Sequence, residues 1–320
     1  MKLQPWGEIP EERRFQAGTN PMSDWPQAKN WDQFCKDRIA EFQDNLWPVW
    51  DRGTTDWDGG AKPIAQEMTR IELELCLERF QGADVLSTYP KMHWPAGVTA
   101  EQRTHLWHFK VEDFIGYDDN AVGFGPEAET PISNFVLYDP SQKLGTIWNT
   151  FGDLAGRKAT GLFQFKLIFQ RPRPYAAAMI LGVNGFKHHA ASRHIHTGAH
   201  PSFPSGHCLQ GLMFAAGLID DMLSETPISD INVDAIMQYG VDFGDRRTFA
   251  GVHYPTDNIA SWVTALHLSE LIFDHPKEIK KLIADAIKQK SQVYGLINEA
   301  YRNQPALEVP VAFLDKALGS

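Results

Sequence analysis

The stretch Lys166-Leu167-Ile168-Phe169-Gln170-Arg171-Pro172-Arg173-Pro174 decides how the rest of the chain is read. Lys166 and Arg173 stand seven residues apart, which on a helix of 3.6 residues per turn returns the side chain to nearly the same face, so both cations can aim at one point. Upstream, Trp148, Phe151, Leu154, Leu162, Phe163 and Phe165 read together with Ile168 as a mostly helical, largely buried run. Pro172 and Pro174 disfavour the α conformation at the residues before them, so the helix is expected to end here and to present Arg173 from its rim. A guanidinium can grip two oxygens of a phosphate-like group, whereas the Lys166 ammonium acts as a point charge. Taken alone, the segment reads more simply as three surface cations, Lys166, Arg171 and Arg173.

Working outward, Pro204-Ser205-Gly206-His207 leads into Leu209, Leu212, Met213, Ala216 and Ile219, a helical apolar period. The tetrapeptide therefore sits at a helix N-terminus, where free backbone N–H groups and the positive end of the helix dipole favour an anion. Ser205 adds a hydroxyl there, and Gly206 lets the backbone come close. His207 follows as an acid or base whose ordinary pKa is near neutrality. By itself the tetrapeptide is more simply an N-cap. The third segment runs from Arg247 through His253 to Asp257 and precedes a helix expected from Ile259 to Phe273, with Pro255 and Asp257 in its first turn. Asp257 can reach back to the His253 ring, fix its tautomer and leave the other ring nitrogen free to attack. A structural His-Asp hydrogen bond is the plainer account of that spacing alone.

Together, in order and in spacing, the three segments resemble the signature of the type 2 phosphatidic acid phosphatase and vanadium haloperoxidase superfamily. The resemblance covers roughly Phe151 to Leu271, and only Arg246, which stands where the family carries Ser, departs from it. It implies an all-α fold, a helical bundle of the acid phosphatase and vanadium haloperoxidase type. It also implies that Lys166, Arg173 and Arg247, with Ser205 and the Gly206 N–H, hold a phosphate-like group. His253 would then be the nucleophile that forms a phosphohistidine, Asp257 would orient it, and His207 would protonate the leaving oxygen. The expected activity is a metal-independent phosphatase acting on a soluble phosphomonoester, with no cofactor.

The same resemblance carries an alternative, a vanadium haloperoxidase with vanadate in the phosphate pocket and His253 as its ligand. His200, seven residues before His207, is similar to an extra histidine of algal bromoperoxidases and is a candidate pocket residue. The stretch around it, with His188, His189, His194 and His196, is histidine-rich throughout; lacking a familiar metal-ligand spacing, it reads as a lid over the pocket rather than a metal site. A third class, an inactive oxyanion-binding module, would require loss of the nucleophile or the acid, and both histidines are present.

Charge and composition bound the remainder. With 30 Lys+Arg against 40 Asp+Glu the formal net charge is −10, and no basic stripe with interleaved aromatics suggests nucleic acid as a partner. At 320 residues and 43% hydrophobic content, the chain can bury one large helical core. We divide it into a helical and loop region at 1–145 packing on the core, a catalytic helical core at 146–275, and a C-terminal helix and tail at 276–320, forming one structural domain overall. In the first region, helices are expected at Trp31–Trp47 and Pro63–Phe80, a turn at Asp56–Gly60, and a long loop or lid between Glu112 and Pro140. The many tryptophans there read as packing anchors. Ile279 to Leu296 reads as one amphipathic helix whose lysines, Lys277, Lys280, Lys281, Lys288 and Lys290, form a solvated face.

No apolar run approaches the roughly 18 residues of a membrane span; the longest, Gly211 to Ile219, is stopped by Asp220-Asp221. That favours a small water-soluble phosphomonoester over a membrane lipid as substrate, with self-association allowed. No secretion signal is visible at the N-terminus, and Cys35, Cys76 and Cys208 form no disulfide framework, so a cytoplasmic setting is the default expectation.

Overall fold

The computed structural model describes residues 31–46, 63–80, 165, 166, 169, 171–186, 201–224, 226–231 and 233–319. Among these there are nine α-helices and no strand, which is the all-α class expected from the sequence. The turn at Asp56–Gly60, the segment from Glu112 to Pro140, the run upstream of Phe165 and the histidine-rich stretch through His200 lie outside the described residues.

Two helices precede the site-bearing segments, α1 (Trp31–Asn45) and α2 (Pro63–Phe80). Pro63 opens α2 at a first-turn position where the missing N–H costs nothing. Helix α3 (Pro174–Leu181) begins directly after Arg173, whose extended backbone (φ −63°, ψ 149°) is what a following proline imposes. Lys166 and Arg173 therefore do not share one helix face: residues 171–173 are non-helical, and Arg173 stands at the start of α3.

The core is built on α4 (Gly206–Leu223), α5 (Val233–Phe249) and α6 (Pro255–Ile272). Helices α4 and α5 approach through a seam of small residues. A β-carbon on Gly211 would lie 2.6 Å from the Gly240 carbonyl oxygen, one on Gly240 2.7 Å from the Ala215 β-carbon, and one on Gly244 2.6 Å from Cys208 Sγ. Only glycine permits that separation, and it lays the first half of α4 alongside the second half of α5. Helix α6 is buried on nearly every side, with Ile259, Ala260, Trp262, Val263 and Leu266 in the core.

The C-terminal run departs from the single helix expected. Helix α7 (Pro276–Lys290) ends at Ser291, which is extended and whose side chain accepts from the Tyr294 N–H to start α8 (Gln292–Glu299). The cause is tertiary: Asp245 on α5 accepts from Ser291 Oγ at 2.8 Å and from the Gln292 N–H at 2.7 Å, drawing the backbone out of helix. On α7, Ile279, Ile283, Ala286 and Ile287 are buried while Lys280 and Lys281 face outward as expected. Lys288, however, turns to the Leu318 carbonyl at 3.0 Å and the Lys290 side chain, paired with Asp234, is only 14% exposed, so the solvated lysine face does not extend to the end of the helix. The last helix, α9 (Glu308–Leu318), meets α1 through Phe313 and Phe42, whose ring centroids are 6.3 Å apart. One apolar cluster includes Phe42, Met68, Leu212, Val263, Ile283 and Leu314, and so joins residues of α1, α2, α4, α6, α7 and α9.

Candidate functional site

Backbone bonds join the three sequence segments. The Ser202 N–H donates to the Arg171 carbonyl at 2.8 Å and its hydroxyl to the Pro172 carbonyl at 3.3 Å, tying the first segment to the second. The Ser205 N–H donates to the Asp257 carbonyl at 3.2 Å, and Ser261 Oγ lies within hydrogen-bond distance of both the Ser205 and Asp257 carbonyls, tying the second to the third. Arg173 closes the ring by donating to the Val252 carbonyl at 2.8 Å. Lys166, Arg173, Ser205, His207, Arg247, His253 and Asp257 are all buried, and Gly206 is half-buried at the start of α4.

His253 reaches this place because α5 ends in a tight turn. Gly251 has φ +72°, and the Val252 and His253 N–H groups both point to the Arg247 carbonyl at 3.2 and 3.3 Å. The left-handed conformation is one that a side chain would strain, which accounts for glycine at this position. Asp257 then serves two local partners, accepting from the Tyr254 N–H at 3.1 Å to cap α6 and pairing with His253 Nδ1 at 3.0 Å. The other ring nitrogen, Nε2, lies 2.9 Å from Arg173 Nη1. A guanidinium can only donate, so Nε2 is the acceptor and the ring proton sits on Nδ1, toward Asp257. Burial, and then the charges of Arg173, Lys166, His207 and Arg247, push the His253 pKa well below its ordinary value. The ring is a neutral imidazole with its basic nitrogen facing the cations.

Lys166 is placed differently from a simple anion ligand. Its ammonium donates to the carbonyls of Pro201, Ser202 and Pro204 at 3.0, 2.9 and 2.6 Å, holding the loop before α4 in shape. Burial and the Arg173 charge lower its pKa well below the usual lysine value. Ser205 is fully buried, and its Oγ has no hydrogen-bond partner among the described residues; it does not cap α4. A buried donor without a partner is costly, and here it stands among cations at a helix N-terminus, where an incoming oxyanion can satisfy it. Arg246, which the sequence set beside Arg247 in place of Ser, is buried with Nη1 3.6 Å from an Asp242 oxygen one turn back. His200 lies outside the described residues, and among those described no group of His, Cys, Asp and Glu is arranged to hold a metal ion.

The residue that sequence reasoning missed is Arg171. Instead of a surface cation it is fully buried, donating from Nη1 to Thr256 Oγ1 at 2.6 Å and to Asp257 Oδ1 at 2.8 Å, and from Nη2 to Glu72 Oε2 at 2.6 Å. Its guanidinium carbon lies 3.6 Å from the centre of the Tyr254 ring, a cation–π contact. Burial works against its charge, but the Glu72 and Asp257 carboxylates outweigh it and raise the pKa. Glu72, on α2, also accepts from the Thr256 N–H at 3.0 Å and the Tyr301 hydroxyl at 3.1 Å. The one sequence signal for Arg171 was the proline after it, which takes it off the helix; its partners lie far along the chain.

The family model described as the PAP2 superfamily matches residues 154–277, the span that carries all three segments. No curated protein and no solved structure matches the chain. No described helix is long and apolar enough to cross a membrane.

Proposed function

We propose that this chain, whose residues 154–277 match the PAP2 superfamily model, is a phosphatase acting on a small phosphomonoester through a phosphohistidine. The observation that carries this reading is the His253 ring, neutral, with Nδ1–H on Asp257 and Nε2 turned to Arg173 inside a buried cationic set. A phosphoryl group entering the site would take Arg173 from the ring nitrogen, exchanging a neutral acceptor for an anionic one, and so expose the Nε2 lone pair as the phosphorus arrives. Arg173, Arg247, Ser205 Oγ and the Gly206 N–H supply fixed positive charge and donors for the equatorial oxygens. Lys166 adds its field while shaping the 201–204 loop.

In the first step, Nε2 forms a bond to phosphorus as the bond to the alcohol oxygen breaks, and an imidazolium at His207 gives its proton to that oxygen. Asp257 accepts from Nδ1–H throughout and stabilises the positive charge the ring gains. In the second step His207, now neutral, takes a proton from water; the water oxygen bonds to phosphorus, the N–P bond breaks, and inorganic phosphate leaves. The arginines and the helix N-terminus provide the charge stabilisation that divalent ions provide in many other phosphoryl-transfer enzymes, so the reading needs no cofactor.

The test is phosphate release from a chromogenic phosphomonoester with vanadate as inhibitor, run beside a peroxide and bromide assay with vanadate added. Phosphate release that vanadate inhibits, lost in His253→Ala with 32P trapped on protein only when His253 is present, is the expected result. Vanadate-dependent bromination without phosphate release would overturn it in favour of a haloperoxidase. Silence in both assays would leave only oxyanion binding.

A further inference from the structure

We infer that the buried Glu72–Arg171 pair is a positioning and tuning device for the nucleophile, setting from helix α2 how strongly Asp257 holds the His253 ring. The inference rests on the phosphatase reading for its purpose, though not for its geometry. Asp257 has two carboxylate oxygens and divides them: Oδ2 takes His253 Nδ1 at 3.0 Å and Oδ1 takes Arg171 Nη1 at 2.8 Å. Arg171 is divided in turn, with Nη2 on Glu72 Oε2 at 2.6 Å. Four charged or chargeable groups therefore run in line with alternating sign, all fully or nearly fully buried.

Stability alone is a weak reason to keep such a pair. Replacing a buried ion pair with apolar residues is often neutral or stabilising, so its presence asks for another role. Thr256 contributes both its N–H and its hydroxyl to Glu72, and Thr256 sits between Pro255 and Asp257 in the first turn of α6. Glu72 thus fixes the backbone that carries Asp257 as well as the cation that faces it. Tyr301, beyond α8, donates to Glu72 Oε1, and the Tyr254 ring covers Arg171. Cys76, one turn along α2, faces the same group and is held as a neutral thiol, its pKa raised by burial first and by Glu72. Burial and then Arg173, Lys166, His207 and Arg247 lower the basicity of His253, and the Asp257 carboxylate on Nδ1 is the group opposed to them.

The two members of the pair are predicted to act with opposite sign. In Glu72→Gln the Arg171 charge loses its counterion and bears fully on Asp257, weakening it as an acceptor and making His253 less basic. In Arg171→Met that charge is gone, Asp257 becomes the stronger acceptor, and His253 becomes more basic. The experiment is 15N-histidine NMR on the full chain, following the His253 Nδ1–H resonance, assigned by its loss in His253→Gln. Movement upfield in Glu72→Gln, downfield in Arg171→Met, and back near the starting position in the double variant is expected. In the phosphatase assay the acid limb of kcat/KM should move in the same opposed directions, by about half a pH unit or more for a charge change in a protein interior of effective dielectric about 20.

Shifts of one sign in both single variants, or none, would overturn the inference, because a packing role has no reason to reverse. Should either single variant fail to fold, Tyr301→Phe decides it: removing one donor from Glu72 leaves more of its charge on Arg171, so the resonance should move downfield, and no movement overturns the proposal. Wild-type protein that neither releases phosphate nor binds vanadate would sink the phosphatase reading while leaving the resonance test standing.

Discussion

The α4–α5 seam and the Glu72–Arg171–Asp257 line hold the same site by opposite means. The seam is made of Gly211, Gly240, Gly244 and Ala215, which contribute little surface of their own and act by letting two helices come close. The line is made of ionised groups removed from water, each tolerable only because the next is in place. The first sets where His207 and Arg247 stand relative to each other. The second sets what His253 can do chemically. Damage to the seam should therefore appear first in stability, and damage to the line first in rate and its pH dependence.

The largest effect belongs to the end of the line that touches the nucleophile. Asp257→Asn keeps the shape but replaces an acceptor with an amide that can present N–H to the ring, favouring the tautomer whose Nε2 carries the proton. The phosphatase rate should fall by about three to four orders of magnitude, as expected when the orienting carboxylate of a catalytic histidine is neutralised. Single-turnover kinetics on the variant would check it, and a loss of less than about tenfold would show that Asp257 does no more than cap α6.

Asp245 extends the comparison to a buried carboxylate that, among the described residues, has no cation paired with it in the way Arg171 pairs with Asp257. Burial first, with the neighbouring Asp242 charge, raises its pKa from 3.8 to about 7 against the hydrogen bonds from Ser291 and Gln292. The folded protein therefore binds a proton that the unfolded chain gives up, and stability should decline as pH rises from about 4 to about 7. Asp245→Asn should remove that component and become the more stable protein above pH 7, by a difference on the order of a few kcal/mol. Melting temperatures of the two proteins across the range check it. Parallel curves would mean that Asp245 is ionised in the folded state throughout. His253, with its pKa lowered, contributes in the reverse direction below about 6.5, so the difference between the two proteins is the quantity to read.

For the seam, Gly240→Ala sets a β-carbon 2.7 Å from that of Ala215 and 2.8 Å from the Gly211 carbonyl oxygen, so a helix must move. Overpacking of this kind costs about 1–3 kcal/mol, partly offset by the better helix propensity of alanine. The melting temperature should fall while the position of the pH–rate profile stays unchanged. A shifted profile with an unchanged melting temperature would erase the distinction between the two regions.

How much of this could be read in the sequence follows the same division. Local features were legible: Pro63 and Pro255 mark helix starts, and His253 stands just ahead of the helix whose first turn holds Asp257, so contact between them needs no knowledge of the fold. The seven-residue argument for Lys166 and Arg173 pointed to one place for the wrong reason, since the chain leaves helix between them. Arg171 was unreadable because Glu72 is 99 residues away and Tyr301 is 229 residues beyond Glu72. Nothing in the local pattern separates a cation bound for such partners from one bound for water. The break at Ser291 was hidden likewise, because Asp245 imposes it from 46 residues upstream on a stretch with continuous helical periodicity.

The smallest effect is the one in which stability and function should part. Ser205 Oγ is buried and without a partner among the described residues, so the folded protein carries a hydroxyl that has lost water and gained nothing from those residues. In Ser205→Ala that cost disappears. The backbone bonds of Ser205, its N–H to Asp257 and its carbonyl to Ser261 Oγ, do not depend on the side chain and should persist. The ligand-free variant is therefore expected to be as stable as the parent or more so, by about 1 kcal/mol. Its affinity for phosphate or vanadate should drop by about tenfold, the lower end of what one hydrogen bond to a charged oxygen is worth. Paired thermal melts with and without vanadate measure both numbers at once. If the variant is less stable without ligand and binds vanadate unchanged, the hydroxyl has a structural partner and does not face the anion. The proposed set of donors would then lose the one member whose burial, without a ligand, has no other account.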